Sequence, residues 1–345
     1  MPRPLARVVV RLPNWVGDIM MTLPALRALR ASLPDTEVLA LARPEHVELA
    51  QRIVSVARVA VAPPRRGRGR RRAMWTVASE LRRSQCDAAV LFAPSFEAAL
   101  TVWLSDVPIR IGYPTDHRGV LLTERVEDRG GHRSDGFLDL VERLGGARRP
   151  DDSRLGDGFR CAPAERAWVD RLFGRLGIGR TTKPIFVNPA SAKTPRAWSS
   201  DRFEQLAVRL AVASSAAVLV HARSPFEVPS DWTRHRSIRT VSDASLVELA
   251  AILERCAVYV GNDSGPMHLA AAVGIPTVGI YGPSSPTRTS PRGSCHTPVT
   301  AAFACSPCRE RFFEECPSAP TADQRPPCLN AIEVDDVVAA VSRAL

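Results

Sequence analysis

The chain has 345 residues, of which 45% are hydrophobic and 24% charged, a composition typical of a soluble globular protein long enough for two domains. Its formal net charge is +10, carried almost entirely by arginine, and this favours anionic partners such as a phosphorylated glycolipid, a membrane surface or nucleic acid. The first residues lack the apolar run of a signal peptide and no stretch is long enough to span a membrane, so we expect a cytoplasmic protein.

The N-terminal half begins with a predicted strand from Arg7 to Leu12 and a helix from about Ile19 to Ser32. Between them, Asp18 falls at the carboxyl end of the strand, where open α/β sheets bind their ligands. Asp18 is therefore either a helix cap or a general base at the mouth of the sheet, and its position in the sequence leaves both alternatives open.

Apolar runs and helical patterns then alternate, which predicts a parallel, doubly wound sheet. The predicted strands are Thr36 to Ala42, Val56 to Val61, Ala88 to Phe92 and Ile109 to Gly112, and the helices begin at Pro44, Ala73, Phe96 and Asp135. The polar run from Tyr113 to Arg133 is predicted to be a loop over the ligand crevice, and Ser95 lies at another strand end where ligand contacts gather.

The densest cationic cluster is the run from Arg65 to Arg72. Such a run is more often a solvated loop than a binding site, and no aromatic residues are interleaved in it to stack on bases. We therefore rank contact with a membrane or with an acceptor above contact with nucleic acid, which we do not expect as a partner.

Glycine, proline and charged residues between positions 145 and 152 indicate a linker, after which the strand–helix alternation restarts. We predict an N-terminal Rossmann-like domain over residues 1–160 and a second over residues 161–330. A C-terminal helix, residues 331–345, is predicted to pack back on the body of the protein.

The most informative stretch of the second half runs from Gly261 to His268, between an apolar run and a small-residue helix. Asp263 or Ser264 can cap that helix, Gly265 permits close backbone approach, and a proline follows at a tolerated position. Unpaired N–H groups and the positive end of the helix dipole then meet at one point. The sequence therefore predicts an anion site, most plausibly for the phosphates of a donor.

Charged side chains follow two other strand ends of this half. Lys193 and Arg196 lie in the loop after the strand Ile185 to Asn188 and could hold a diphosphate, or could simply be solvated cations. Glu227, after the next strand, could accept hydrogen bonds from a ribose, although a solvated carboxylate is at least as well supported.

Four segments together carry a family resemblance: Trp15-Val16-Gly17-Asp18, Leu23-Pro24-Ala25-Leu26, Asn262 to His268 and Tyr281 to Pro286. In combination they resemble glycosyltransferase family 9. The resemblance implies a GT-B architecture, in which two Rossmann-like doubly wound domains face each other across a cleft. It also implies that the C-terminal domain binds the donor and the N-terminal domain binds the acceptor.

The resemblance further implies an inverting transfer of heptose from ADP-heptose to the inner-core oligosaccharide of lipopolysaccharide, with no cofactor required for catalysis. The acceptor would be the lipid A-core glycolipid at the cytoplasmic face of the inner membrane, where the enzyme would be peripheral. The alternative is a related heptosyltransferase, or a family 9 transferase with a different nucleotide-sugar donor.

By matched position, Asp18 would be the base that deprotonates the acceptor hydroxyl. Arg196 takes the place where the family usually has a lysine, and Lys193 lies nearby, so either cation could contact the diphosphate. The remaining donor-binding residues implied by the resemblance are Glu227 for the nucleotide and Asp263, Ser264, Gly265 and His268 for the diphosphate and heptose.

Five of the eight cysteines lie after residue 290, and four of them form a Cys-x2-Cys-x7-Cys-x11-Cys series: Cys305, Cys308, Cys316 and Cys328. In a cytosolic protein this spacing favours a structural zinc site over disulfides. A flexible flap of unmetallated thiols is the alternative. Cys86, Cys161 and Cys256 are predicted to be ordinary core residues.

Overall fold

The computed structural model describes residues 5–64, 67, 69–147, 158–191, 196–213, 216–222, 235–292, 295–308, 316 and 325–345. The chain divides into two compact units, Met1–Arg160 and Cys161–Leu345. In the described residues each unit contains one six-stranded sheet. None of the helices described is both long and apolar enough to cross a membrane.

The sheet of the first unit is built from short, buried apolar runs. Its strands are β1 (Arg7–Arg11), β2 (Glu37–Ala42), β3 (Arg58–Val61), β4 (Ala88–Leu91), β5 (Ile109–Gly112) and β6 (Glu124–Arg125). They are ordered β3-β2-β1-β4-β5-β6, which places the topological switch point between β1 and β4. Because the pairings are parallel, the carboxyl ends of the strands share one edge, where such sheets bind ligands.

Helices connect these strands, and their apolar sides complete the core. They are α1 (Val16–Met21), α2 (Leu23–Ser32), α3 (Val47–Ala50), α4 (Arg70–Arg83), α5 (Phe96–Trp103) and α6 (Arg133–Glu142). Leu81 of α4 and Val102 of α5 are buried with Val9 and Leu91 of the sheet, and α6 packs against α1 and α2. This packing fixes the loops that leave the carboxyl edge.

The second unit repeats the same winding. Its strands are β7 (Ile185–Asn188), β8 (Val218–His221), β9 (Ile238–Val241), β10 (Val258–Asn262), β11 (Thr277–Tyr281) and β12 (His296–Thr300), in the order β12-β11-β10-β7-β8-β9. The helices are α7 (Pro163–Arg175), α8 (Ser200–Ala213), α9 (Leu246–Glu254), α10 (Gly265–Ala272), α11 (Pro286–Thr289), α12 (Pro327–Asn330) and α13 (Val334–Ala344). The switch point lies between β7 and β10, and α13 packs on α8 and on the sheet.

The predicted α/β architecture of two Rossmann-like, doubly wound sheets is confirmed, with local differences. The helix predicted from Ile19 to Ser32 is two helices that meet at Thr22, whose hydroxyl donates to the carbonyl of Ile19 at 2.7 Å. Pro24 then occupies the first turn of α2, where its missing N–H costs nothing. The predicted cysteine burial is also found: Cys86, Cys161 and Cys256 lie inside the protein.

Three edge strands are absent from the sequence-based prediction. The run from Tyr113 to Arg133, predicted to be a loop, contains the two-residue strand β6, which pairs with β5. Strands β9 and β12 likewise extend the second sheet at its two edges. Each of the three mixes exposed or polar residues with few apolar ones, so strand pairing in the folded sheet defines them more than their own sequence pattern does.

Candidate active site

In the first unit, the turn after β1 carries Asp18 to the carboxyl edge of the sheet. Trp15, not Asp18, is the N-cap residue of α1, and among the described residues no side-chain hydrogen bond caps this helix. The carboxylate of Asp18 is about one-fifth exposed and forms an ion pair with Arg133 Nε at 3.4 Å. Arg133 begins α6, so packing of α6 on α1 sets the orientation of the carboxylate. Arg133 thus orients the Asp18 carboxylate and leaves it accessible. A group that accepts a proton from a ligand must be accessible in this way.

Two buried arginines lie beside this turn, and the sequence analysis did not single them out. Arg11, the last residue of β1, and Arg43, which directly follows β2, both donate to Asn14 Oδ1, at 3.0 and 3.1 Å. Arg43 also pairs with Glu97 at 3.3 Å. Burial, followed by repulsion from Arg43, lowers the pKa of Arg11 to about 9. The site therefore carries positive charge within a tightly hydrogen-bonded frame.

A cavity of about 800 Å³ opens on this frame. Arg43 and Asn14 line it from one side, and Arg70, which also pairs with Glu97, lines it from the start of α4. The loop before α5 completes it with Ser95, consistent with the predicted gathering of contacts at that strand end. Its mixture of cations, hydroxyl and amide groups suits an anionic, hydroxyl-rich ligand.

In the second unit, residues 261–268 form the predicted strand-to-helix turn between β10 and α10. Ser264 is the N-cap residue with an extended backbone, φ −151° and ψ 167°. Gly265 is the first helical residue and Pro266 the second, where an N–H would have no intrahelical partner. The first N–H groups of α10 and the positive end of its dipole therefore meet beside the Ser264 side chain.

Residues behind Ser264 determine which way its hydroxyl points. Asn188 Nδ2 donates to Ser264 Oγ at 3.2 Å and to Tyr259 Oη at 3.0 Å, besides a contact with the carbonyl of Ala190 at 3.2 Å. His221 Nδ1 lies 2.9 Å from Asn188 Oδ1, which fixes the orientation of the amide because its oxygen needs a donor.

The hydroxyls of Tyr259 and Ser264 complete this network. Their oxygens lie 3.4 Å apart, and either hydroxyl can donate to the other. Burial raises the pKa of Tyr259 well above its usual value, so the phenol keeps its proton. Ser264 is only half-buried, and when the phenol donates to Ser264 Oγ, the Ser264 proton is available to a ligand in front of α10.

Three further predicted donor-binding residues come together at the same turn. The carboxylate of Asp263, 4% exposed, lies 3.6 Å from Arg196 Nη1 and 4.0 Å from His268 Nε2. Arg196 is thus beside the turn, and its contact with the diphosphate stays a prediction. Lys193 and Glu227, the other two predicted residues, lie outside the described residues.

A second buried asparagine fixes the backbone two residues after Arg196. Asn262, the last residue of β10, accepts from the backbone N–H of Trp198 at 2.9 Å and donates to the carbonyl of Pro189 at 2.8 Å. Trp198 is 1% exposed, and its indole N–H donates to the carbonyl of Ile332 at 3.2 Å. Asn188 and Asn262 were missed by the sequence analysis, although a polar residue that ends a buried strand is a recognisable signal at a switch point.

The four C-terminal cysteines lie close enough for their thiols to interact electrostatically. Burial, and then the nearby thiols of Cys305, Cys316 and Cys308, raise the pKa of Cys328 to about 11. Among the described residues no three cysteine, histidine or acidic side chains stand in an arrangement that could hold a metal ion. The predicted zinc site gains no support from this geometry and stays a prediction.

Two doubly wound units, with a polar turn at a switch point, define an α/β protein of the class that binds nucleotides and other phosphorylated ligands. Residues 74–317 match the model of glycosyltransferase family 9, the heptosyltransferases. The match spans more than half of the chain, and the protein belongs to this family. It is therefore a glycosyltransferase.

Individual relatives agree with this assignment. The chain is 27% identical over 307 residues to lipopolysaccharide heptosyltransferase 2 of Escherichia coli K12. The matched region covers 83% of this chain and 85% of that protein. The solved E. coli ADP-heptose lipopolysaccharide heptosyltransferase II is similar with a TM-score of 0.78 and 20% identity over 98% of both chains. E. coli heptosyltransferase WaaC, solved with ADP-2-deoxy-2-fluoro heptose, has a TM-score of 0.70 and 15% identity over 98% of this chain and 100% of that one. The fold is thus that of the GT-B heptosyltransferases.

Proposed function

We propose that the protein transfers heptose from ADP-heptose to the inner-core oligosaccharide of lipopolysaccharide, with inversion at the anomeric carbon. The reaction would take place at the cytoplasmic face of the inner membrane, on the lipid A-core glycolipid. The similarity to an ADP-heptose lipopolysaccharide heptosyltransferase II supports ADP-heptose as the donor and lipopolysaccharide as the acceptor. The observation that carries the proposal is the half-buried Ser264 hydroxyl at the N-terminus of α10, with Arg196 paired to the adjacent Asp263.

The donor diphosphate would bind in front of α10. Ser264 Oγ donates its proton to a phosphate oxygen, the N–H groups at the start of α10 donate to the same group, and Arg196 adds a full positive charge. These groups matter most when the sugar–phosphate bond breaks, because negative charge then accumulates on the departing ADP. Asp263 keeps Arg196 beside the turn until the donor arrives, since the two side chains are already paired at 3.6 Å.

Asp18 would serve as the general base. The acceptor hydroxyl oxygen forms a bond to the anomeric carbon, the bond from that carbon to the diphosphate breaks, and the hydroxyl proton passes to the Asp18 carboxylate. A single displacement of this kind inverts the anomeric configuration and needs no covalent enzyme intermediate. The ion pair with Arg133 at 3.4 Å supports the role because it orients the carboxylate without burying it.

The acceptor would bind in the first unit. The cavity of about 800 Å³ beside Asn14 and Arg43 is lined by three arginines and by the carboxylates of Glu97 and Asp116, which suits the anionic and hydroxyl groups of a lipopolysaccharide core. Ser95 and Arg70 add a hydroxyl and a charge on its other side. An acceptor that is anchored in a lipid bilayer also fits the net charge of +10.

The decisive experiment supplies the protein with ADP-heptose and a series of truncated inner-core acceptors, and measures ADP release and product mass. We expect one acceptor to gain the mass of one heptose, and Asp18→Asn to remove the activity. ADP release that depends on a different nucleotide-sugar, or a product on an acceptor lacking the inner core, would instead support the alternative family 9 activities. Absence of ADP release with every donor and acceptor would refute the proposal.

No metal ion is proposed to take part in catalysis, because Arg196 and the N-terminus of α10 supply the positive charge that the leaving diphosphate requires. Activity should therefore persist in the presence of EDTA. The structural zinc predicted for Cys305, Cys308, Cys316 and Cys328 is a separate question. Elemental analysis of protein purified without chelator tests it, and a zinc content near zero would remove it.

A further inference from the structure

The outward face of α4 carries arginines around an exposed tryptophan. At about 100° per residue, Arg71, Trp75 and Arg82 fall within a stripe about 40° wide, with Arg72 and Arg83 beside it. Trp75 is 55% exposed, and all four arginines are exposed. These five residues are called the α4 face below.

The opposite side of α4 anchors the helix to the protein. Val77 and Leu81 are 6% and 1% exposed, within the apolar core of the first unit. Glu80, the acidic residue of α4, is exposed and lies about 140° around the helix from Trp75 and about 60° from Arg83. The α4 face is therefore cationic and aromatic, on a helix whose inner side is fixed.

A second exposed indole lies at the end of this surface. Trp103, the last residue of α5, is 47% exposed. Arg82 Nη2 donates to the carbonyl of Leu104, the next residue, at 2.7 Å, and pairs with Asp106 at 2.8 Å. The end of α5, with Trp103, is thereby tied to the end of α4.

We propose that the α4 face, with Trp103, is the surface by which the protein docks on a bilayer that contains anionic phospholipid. Indole rings with one apolar and one polar edge favour the membrane–water interface. Arginines near an anionic surface each contribute about 1 kcal/mol, or about fivefold in affinity, and their stems lie along apolar surface while the guanidinium contacts headgroups. The inference rests on the proposed function, since a glycolipid acceptor requires approach to a membrane.

The test measures sedimentation of the full chain with sucrose-loaded vesicles of phosphatidylcholine, with or without phosphatidylglycerol and always without glycolipid acceptor. We expect binding only with phosphatidylglycerol, weaker at high salt. The double variant Arg72→Gln/Arg83→Gln should bind about 25-fold more weakly, at about fivefold per arginine. The matched control is Arg171→Gln/Arg175→Gln, which removes two exposed arginines of α7 and should change binding little.

Fluorescence gives a readout specific to the tryptophan. Brominated phospholipid should quench part of the emission of the unmodified protein; Trp75→Phe should reduce the quenched part, and the double variant Trp75→Phe/Trp103→Phe should remove it. Equal vesicle binding by the Arg72→Gln/Arg83→Gln variant and its control would overturn the proposal. So would duplex DNA that binds more tightly than vesicles and loses affinity in the same variant, because the face would then be a nucleic-acid surface.

Transfer to a deacylated, water-soluble core acceptor separates this inference from the proposed function. Failure of transfer by the unmodified protein would refute the function and leave the vesicle result standing. Retained transfer by a variant that no longer binds vesicles is the result expected if both proposals hold.

Discussion

Replacement of Asn188 by aspartate would reverse the hydrogen bonds behind Ser264 while hardly changing the volume of the side chain. The amide now donates to Ser264 Oγ at 3.2 Å and to Tyr259 Oη at 3.0 Å, whereas a carboxylate can only accept. Ser264 and Tyr259 would then turn their protons back toward position 188. The donor phosphate would lose a hydrogen bond and gain a buried negative charge nearby.

The size of the effect follows from Coulomb's law. A phosphate oxygen bonded to Ser264 Oγ would lie about 6 Å from the new carboxylate. With an effective dielectric constant of about 20, repulsion between two unit charges at that distance is about 2.8 kcal/mol, or a hundredfold loss of ADP affinity. His221 Nδ1, 2.9 Å from Asn188 Oδ1, would share a proton with the carboxylate in acid, so the loss should shrink as pH falls.

Isothermal titration calorimetry with ADP measures this affinity, and thermal denaturation checks that Asn188→Asp still folds. Tyr259→Phe is the neutral control, because it removes one hydrogen bond to Ser264 and adds no charge. This variant should bind ADP about fivefold more weakly, equivalent to about 1 kcal/mol, and its ADP affinity should show no new pH dependence. A folded Asn188→Asp protein that binds ADP as tightly as the unmodified chain at every pH would refute the reasoning about Ser264.

Three other predictions concern single residues. Asp18→Asn should lower kcat by about 10²–10⁴-fold and leave ADP affinity unchanged in calorimetry; near-normal turnover would exclude the base role. Gly261→Ala would put a Cβ 2.6 Å from the carbonyl oxygen of Asn188 on the neighbouring strand, so it should reduce the free energy of unfolding by about 1–3 kcal/mol, measured by urea denaturation. Burial is the main cause, and repulsion from His268 the second, of a low pKa of about 3 for His296. Between these pKa values the unfolded chain protonates this histidine and the folded protein does not. The free energy of unfolding should therefore be unaffected by His296 above about pH 6.5 and should fall by up to about 1.4 kcal/mol per pH unit from there toward pH 3. His296→Gln should flatten that pH dependence in thermal melts.

The parts of the site that could be predicted from the sequence are those formed by neighbours in the chain. The turn from Asp263 to His268 follows a buried strand and opens a helix of small residues, and both signals lie within a few residues of one another. Asp18 could be placed for the same reason, because it follows the buried strand β1 within a few residues. Local propensity and hydrophobic period were enough to place these side chains at strand ends.

The strand order and the edge strands were harder to predict, since β6, β9 and β12 are short or partly polar. A central strand such as β10 is apolar along its whole length, because both of its faces are covered. An edge strand needs no such pattern, and the sequences of β6, β9 and β12 do not distinguish these strands from loops. Its pairing with a neighbour decides that it is a strand.

The sequence by itself determined the α/β alternation, the two doubly wound units and the two strand-to-helix connections that carry Asp18 and Ser264. Tertiary structure alone decided the chemistry behind them. Asn188 and Ser264 are 76 residues apart in the chain and share a hydrogen bond, and Arg43 meets Asn14 across 29 residues. Parallel strands bring such residues together because all their carboxyl ends share one edge, and the order of strands along that edge is fixed by packing rather than by local pattern.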